Sequence, residues 1–225
     1  MPSAPITAVK WERWRMPDRQ PRPGSPTIKF TEQNIMNTAK IIAFAGSVRR
    51  ESWNRKVLEV AVAGAREAGA DVTVVHLGDY PMPIYDADWH AENGLPANML
   101  ALRRLIMPAN GLLIASPEYN ASITPLLKNA IDWLSQAVDG ESGNAPFEGK
   151  VGGLMGASNG AFGTIRALPH VSYILSNLGV FMLPVVAVPG VAKTFDESGH
   201  MTNERTKNML SGLGARLTQT IVKLG

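Results

Sequence analysis

From Lys40 onward, short apolar runs alternate with longer amphipathic segments, and this alternation constrains the fold more than any other feature of the chain. Short, continuous apolar runs are typical of strands that are buried on both faces of a sheet. The segments between them place apolar residues at three- and four-residue spacing, as in the stripe of Val57, Ala61 and Ala65, and this spacing predicts helices. Strands and helices in strict alternation predict an α/β fold with a doubly wound parallel sheet and helices on both faces.

The predicted sheet has five strands, at Lys40–Ala45, Asp71–His76, Gly111–Ser116, Val151–Ala157 and Phe181–Val188. Five helices are predicted between and after them, at about Asn54–Ala68, Leu95–Met107, Thr124–Gln136, Thr164–Leu178 and Asn203–Leu224. The sequence shows neither an internal repeat nor a second apolar core. We therefore expect one domain over residues 37–225.

Residues 1–36 differ in composition from the rest of the chain. They hold six of the sixteen prolines and show neither helical nor strand periodicity, which predicts an extended or flexible arm outside the fold. Trp11 and Trp14 are candidates to anchor this arm on a neighbouring subunit, because exposed tryptophans are costly. Met36, immediately before the first strand, is an alternative initiator, and with that start the arm would not be native.

Charge, cysteine content and apolar run length exclude several classes of function. The arm has six basic and three acidic side chains, whereas residues 37–225 have sixteen of each, so the net charge of +3 does not indicate a nucleic-acid-binding body. The absence of cysteine excludes disulfides, thiolate metal sites and a thiol nucleophile, so redox chemistry would need a bound cofactor. No apolar run approaches the ~20 residues of a membrane helix, and no secretory signal is visible, so we expect a cytoplasmic protein.

Three loops follow the first, third and fourth predicted strands, and the ligand site of an open parallel sheet lies at such carboxyl ends. They are defined here as the first loop (Gly46–Trp53), the second loop (Pro117–Ser122) and the third loop (Ser158–Gly163). We therefore predict that the binding site is built from these three loops.

The first loop has the composition of a phosphate site. Gly46 permits a sharp exit from the strand, Ser47, Ser52 and Asn54 offer short hydrogen-bonding groups, and Arg49 offers a fixed positive charge. The helix that follows adds unpaired backbone N–H groups. The alternative is that Ser52 or Asn54 only caps the helix and that Arg49 is solvated.

The second loop fits a flat ring system. Pro117 stiffens the turn and Tyr119 offers an aromatic wall, while Glu118 and Asn120 offer polar groups to a planar heterocycle. In the third loop, Ser158 is followed by glycines at positions 160 and 163 that let backbone approach a flat ligand. Arg166, just beyond the third loop, is interpreted as a surface charge.

These loops combine the motifs G-S-x-R-x-x-S-x-N, S-P-E-Y-N-x-S-x-x-x-L-K-N-A-I-D-W and S-x-G-x-x-G. Together they resemble the flavodoxin-like NADPH-dependent FMN reductases, a family that includes quinone, chromate and azo-dye reductases, and the resemblance covers about residues 40–223. It implies a flavodoxin-like fold with bound FMN. The phosphate is then held by Ser47, Arg49, Ser52 and Asn54, the isoalloxazine is lined by Pro117, Glu118, Tyr119 and Asn120, and the pyrimidine side is approached by Ser158 and Gly160.

The activity implied by the resemblance is hydride transfer from NADPH through FMN N5 to a small electron acceptor, such as a quinone, an azo dye, chromate or free flavin. The cofactor supplies this chemistry, so no catalytic side chain and no metal are assigned. The apolar surface of helix Thr124–Gln136 and of segment Leu77–Glu92 predicts a homodimer or homotetramer. The alternative function is a flavodoxin-type FMN electron carrier without a nicotinamide site.

Overall fold

The computed structural model describes residues 38–225, so the predicted arm and its tryptophans lie outside the described residues. The strands are β1 (Lys40–Ala45), β2 (Asp71–Val75), β3 (Gly111–Ala115), β4 (Val151–Ala157), β5 (Phe181–Met182) and β6 (Val186–Val188). The helices are α1 (Trp53–Glu67), α2 (Ala87–Asn93), α3 (Ala97–Ile106), α4 (Pro125–Leu134), α5 (Ala167–Asn177) and α6 (Glu204–Leu224).

The strands form one parallel sheet in the order β2-β1-β3-β4-β5, with β6 also paired to β4. One apolar layer lies between the sheet and helices α1 and α6, and a second lies between the other face and helices α3, α4 and α5. The prediction of a doubly wound parallel sheet with helices on both faces is therefore confirmed. The winding direction reverses between β1 and β3, and this places the switch point at the first and second loops.

Helices α1 and α6 pack unusually closely, and two glycines make this possible. A Cβ on Gly64 would lie 2.2 Å from the Ser211 carbonyl oxygen, and one on Gly214 would lie 2.0 Å from the Ala61 carbonyl oxygen. Any larger residue at either position would therefore push the helices apart. This contact fixes α1, and with it the helix end that follows the first loop.

The structure differs from the prediction at two elements. The predicted strand Phe181–Val188 is split into β5 and β6, since the chain leaves the ladder around Pro184, a residue with no N–H to donate. Helix α2 was not predicted, because none of its residues is buried and it therefore carries no apolar stripe. Within residues 38–225, no helix is long and apolar enough to cross a membrane.

Candidate functional site

The three predicted loops leave the sheet side by side. The amide of Gly46 donates to the Ala115 carbonyl at 2.8 Å, and the amide of Ser116 donates to the Met155 carbonyl at 2.9 Å. Strands β1, β3 and β4 are thus paired to their last residues. The sequence prediction that these loops meet at one edge of the sheet agrees with this pairing.

The first loop presents buried hydroxyls and an exposed cation. Ser47 is buried, and its Oγ accepts a hydrogen bond from the Arg49 amide at 3.3 Å. Ser52 caps α1 by accepting from the Arg55 amide at 3.4 Å, while the side chain of Arg49 is exposed. The first turn of α1 contains no acidic residue, and Glu51, just before the cap, pairs with Lys56 at 3.3 Å.

Asn54 connects α1 to the end of β4. Its Oδ1 accepts from the Ala157 amide at 2.9 Å, and its Nδ2 donates to the Ala157 carbonyl at 3.0 Å. The side chain is buried, so these two bonds satisfy backbone groups that water cannot reach. Asn54 therefore holds the first loop against the start of the third loop.

Thr124, which the sequence reading did not select, connects the second loop to the first. Its Oγ1 donates to the Gly46 carbonyl at 2.9 Å and also accepts from the Leu127 amide at 3.3 Å, so it caps α4. The sequence signal was present, because Thr124 stands directly before Pro125, which is the first residue of α4. The cap was predictable, whereas its contact with Gly46 was not.

Glu118 turns away from the second loop and pairs with Arg166. The carboxylate accepts from the Arg166 Nε at 2.7 Å and from Arg166 Nη2, and its Oε2 accepts from the amides of Arg166 at 3.1 Å and Ala167 at 3.2 Å. Burial alone would raise the pKa of Glu118, but the hydrogen bonds and charge of Arg166, with the Ala167 amide, hold that pKa below its usual value. The carboxylate is therefore used to join α5 to the second loop, and the backbone of Glu118 remains beside the site.

The rest of the second loop is a tight turn from Tyr119 to Ser122. The amide of each of these two residues donates to the carbonyl of the other at 3.0 Å, and Asn120 (φ 50°) and Ala121 (φ 63°) both adopt left-handed backbone. Consecutive positive φ angles are the geometry of a type I′ turn, which asparagine tolerates well. The turn leaves the Tyr119 side chain 54% exposed, as an aromatic wall for a ring requires.

A serine–histidine pair lies at the end of this turn. Ser122 Oγ is 2.9 Å from His170 Nδ1, in the first turn of α5. Ser122 is half-buried and His170 is exposed. Sequence reasoning missed this pair, because nothing in the spacing of residues 122 and 170 indicates contact.

The third loop combines open space with strained backbone. A Cβ on Gly160 would meet only Ser158 Oγ, at 3.7 Å, so glycine leaves this surface free for a flat ligand. Gly163 (φ 53°) is required, since a Cβ there would lie 2.4 Å from the Pro189 nitrogen. Thr164 follows with φ 74°, an uncommon conformation for a β-branched residue. The loop is thus held in one shape by close packing.

The segment before α2 covers α4 within the same chain. Trp133 is buried, and its Nε1 donates to the Pro83 carbonyl at 2.7 Å. Tyr85, Trp89 and His90 pack edge-on around its ring. The Trp133 ring is therefore covered within the chain, whereas Ile84 and Trp89 of the same segment remain 85% and 37% exposed.

A cleft also lies at the other edge of the sheet. It encloses about 670 Å³ and is lined by Lys40, Asn110 and Lys150 at the amino ends of β1, β3 and β4. Lys150 donates to the carbonyls of Met107 and Ala109, and burial lowers its pKa. The Lys150 ammonium is thus engaged with backbone carbonyls. The three loops that side-chain hydrogen bonds join to one another lie at the opposite edge, at the carboxyl ends of the strands.

The chain is similar to several known flavoenzymes. Residues 39–193 match the family model of the NADPH-dependent FMN reductases. An NAD(P)H-dependent FMN reductase of Pseudomonas aeruginosa is 34% identical over 173 residues, which cover 76% of this chain and 89% of that protein. A quinone reductase of Escherichia coli is 31% identical over 179 residues, covering 77% and 90%.

Comparison with solved structures also finds a flavoenzyme. The flavoenzyme NAD(P)H:(acceptor) oxidoreductase of Paracoccus denitrificans superposes with a TM-score of 0.69 at 27% identity. The match covers 83% of this chain and 98% of that one. The similarity therefore extends over nearly the whole length of that structure.

Proposed function

The chain belongs to the NADPH-dependent FMN reductase family and is an FMN-dependent NAD(P)H oxidoreductase, and from this premise we propose that it reduces small quinone-type acceptors at its three carboxyl-edge loops. The observation that carries the proposal is the set of contacts that joins these loops. Asn54, Thr124 and Glu118 each join one of these loops, or a residue near it, to a residue in or near another. The site is thereby formed before any ligand binds.

The donor set fits FMN. A monoester phosphate suits the first loop, where the buried Ser47 hydroxyl and the N-terminal end of α1 lie beside the exposed Arg49. A flat ring suits the second and third loops, because Tyr119 offers an aromatic face and Gly160 leaves open space. Bound FMN supplies two-electron hydride chemistry between NAD(P)H and an acceptor.

The residues of this chain then act through position and charge. Arg49 and the α1 amides balance the phosphate charge, and Ser52 fixes the turn from which they project. The turn from Tyr119 to Ser122 sets the orientation of the aromatic wall. Ser158 and Gly160 border the open surface on the other side. Of these residues, none needs to exchange a proton for hydride transfer to occur.

The affinity for FMN tests the assignment of the first loop. Arg49→Ala is expected to weaken FMN about 10- to 150-fold, since a charge-assisted hydrogen bond contributes about 1.5–3 kcal/mol. Arg50→Ala is the matched control, because Arg50 is the exposed neighbouring arginine, and we expect at most a roughly fivefold change.

Riboflavin is the ligand control for the same experiment, because it has the isoalloxazine ring of FMN but no phosphate. Its affinity is expected to be equal in the wild type, Arg49→Ala and Arg50→Ala, measured by quenching of flavin fluorescence. If Arg49→Ala weakens riboflavin as much as FMN, the arginine does not recognise the phosphate.

A quinone is the acceptor class that the relatives support, since one of them is a quinone reductase. NADPH oxidation by the FMN-loaded protein with and without 1,4-benzoquinone tests this. The electron-carrier alternative is not favoured, because family and relatives are NAD(P)H-dependent reductases. A carrier would bind FMN without oxidising NADPH.

Homo-oligomer formation remains part of the proposal, and a second exposed apolar surface is a candidate for the contact besides the predicted one. Tyr173 on α5 is 76% exposed and Phe181 on the edge strand β5 is 61% exposed. A second copy that covers both would remove them from water and protect the sheet edge. Light scattering is expected to give a mass above the 24.2 kDa of one chain, and Tyr173→Arg is expected to reduce it. A wild-type monomer at micromolar concentration would contradict this.

A further inference from the structure

Ser122 and His170 are not among the residues assigned to FMN above, yet they lie at the loop proposed to form the ring site. Ser122 ends the four-residue turn that begins at Tyr119, and its Oγ lies 2.9 Å from His170 Nδ1. Glu118 immediately precedes this turn and binds the Ala167 amide at the start of α5. Two contacts therefore fix the first turn of α5, and with it His170, against the second loop.

Quinone reduction has a requirement that hydride transfer alone does not meet. A quinone that gains a hydride becomes a hydroquinone anion, and one proton must still reach its second oxygen. Glu118 is not a source of that proton, because its lowered pKa keeps it ionised at neutral pH. Arg166 is not a source either, since a guanidinium does not release its proton in proteins. An exposed imidazole is the side chain suited to this role near neutral pH.

We propose that His170 donates the proton that completes acceptor reduction and that Ser122 positions its ring; this rests on the proposed quinone reductase function. The hydride and its electron pair come from NAD(P)H by the established FMN-dependent activity. The Nε2–H bond of the His170 imidazolium breaks, its electron pair stays on Nε2, and the new O–H bond forms on the hydroquinone anion. Water then returns a proton to Nε2.

The contact at Nδ1 suits this role. When Nδ1 donates its hydrogen to Ser122 Oγ, the neutral ring keeps its lone pair on Nε2, which is the nitrogen that faces away from the serine. The ring thus returns to the same tautomer after each proton transfer. Because Ser122 is itself held by two backbone hydrogen bonds, the direction of Nε2 is set by the turn. Ser122 is accordingly a positioning residue.

A pair of acceptors separates proton transfer from electron transfer. 1,4-Benzoquinone needs protons to form its product, whereas ferricyanide takes electrons alone. In the FMN-loaded protein, His170→Gln is expected to lower the rate with the quinone at least about tenfold more than the rate with ferricyanide. Ser122→Ala is expected to show the same selectivity to a smaller degree. His200→Gln is the control, since His200 is an exposed histidine on a separate loop.

A binding measurement tests the contact without turnover. The chain has four histidines, so ¹⁵N-histidine labelling gives a small set of signals that single His→Gln variants assign. 4-Nitrophenol, a phenol that resembles the product, is titrated into oxidised, FMN-loaded wild type. The Nε2 signal of His170 is expected to shift, and that of His200 is expected to stay in place.

The outcomes distinguish this inference from the function on which it rests. Equal losses with both acceptors, or a His170 signal that no concentration of 4-nitrophenol changes, overturn the proton-donor role while leaving quinone reduction intact. Failure of the wild type to oxidise NADPH with benzoquinone, despite bound FMN, overturns the proposed function instead. The titration itself uses unmodified protein, and the variants of His76, His90 and His200 assign the His170 signal by elimination, so the test holds even where His170→Gln does not fold.

Discussion

Glu118 and Arg166 join the second loop to the start of α5 across 48 residues of sequence. The carboxylate is 7% exposed, whereas the guanidinium is 52% exposed and lies 4.6 Å from the centre of the Phe162 ring. The two partners are thus unequally buried. The carboxylate also holds the amides of Arg166 and Ala167, so it has partners that remain if the guanidinium is removed.

This asymmetry predicts unequal effects of truncating the two side chains. Glu118→Ala is expected to lower the free energy of unfolding by about 1.5–3 kcal/mol, because it leaves two amides and a guanidinium without their acceptor. Arg166→Ala is expected to cost less, since water replaces a half-exposed cation. Urea unfolding without FMN measures both, with Glu59→Ala as an exposed carboxylate control. A larger loss for Arg166→Ala would contradict the arrangement.

The same pair predicts how stability changes with pH. The native pKa of Glu118 is below its usual value: burial acts to raise it, but Arg166 and the α5 amides more than offset this effect. The stabilisation is therefore complete above the usual glutamate pKa of about 4.3 and is lost as pH falls through the native pKa. Glu118→Gln imitates the protonated acid, so the difference in unfolding free energy between wild type and variant should be constant near neutral pH and shrink in acid. A difference that grows on acidification would rule this out.

Asn54 supports a third prediction. Removing its side chain leaves the amide and carbonyl of Ala157 without partners, and Asn54→Ala is expected to cost about 1–3 kcal/mol. Asn54→Asp keeps the acceptor for the amide but brings a carboxylate oxygen against the Ala157 carbonyl, so it should be no more stable than the alanine variant. Ser52→Ala, which loses one helix cap, gives a reference of about 1 kcal/mol. A fully stable Asn54→Asp would show that the bridge is not needed.

The sequence predicted the positions of the site loops because local rules determine where strands end. All three loops follow strands whose last residues were placed within one position. The partners of their side chains were not predictable, since Asn54 meets Ala157 across 103 residues and no local pattern encodes that contact. The role of Arg166 was interpreted as a surface charge for the same reason: residue type alone does not indicate which carboxylate it meets.

Helix α2 and the segment before it show a second limit of prediction from the sequence. Helix α2 has no buried residue and is defined mainly by the Asp86 cap, which accepts from the amides of Asp88 and Trp89, so apolar periodicity could not indicate it. Trp133 lies on the predicted helix Thr124–Gln136, but its cover by the Pro83 carbonyl and Tyr85 depends on how a long segment folds back. The surface from which the oligomer was predicted is therefore only partly covered by the chain itself, since Ile84 remains 85% exposed.

The last prediction concerns Thr164, which lies next to the third loop and has two features that destabilise the folded protein. Its backbone is left-handed at φ 74°, and its buried Oγ1 has no hydrogen-bond partner within residues 38–225. Relief of the backbone strain and removal of the unpaired hydroxyl are each expected to stabilise the protein by about 1–2 kcal/mol. The substitution by glycine also destabilises the protein in two ways. It costs about 0.5–1 kcal/mol of backbone conformational entropy, and it removes a buried methyl group that contributes about 0.8 kcal/mol to stability. Thr164→Gly should therefore raise the free energy of unfolding by about 1 kcal/mol, as measured by urea unfolding without FMN.

Two comparisons make this result specific. Thr164→Ala removes the hydroxyl but keeps a Cβ at positive φ, so its stability should fall below that of Thr164→Gly. Thr202→Gly, at an exposed position with ordinary backbone, should be destabilising. Strain that persists beside a binding loop is expected to fix the shape of that loop, so the more stable Thr164→Gly protein should bind FMN more weakly than the wild type. A glycine variant that loses stability, or that gains stability with unchanged FMN affinity, would show that the conformation of Thr164 does not serve the site.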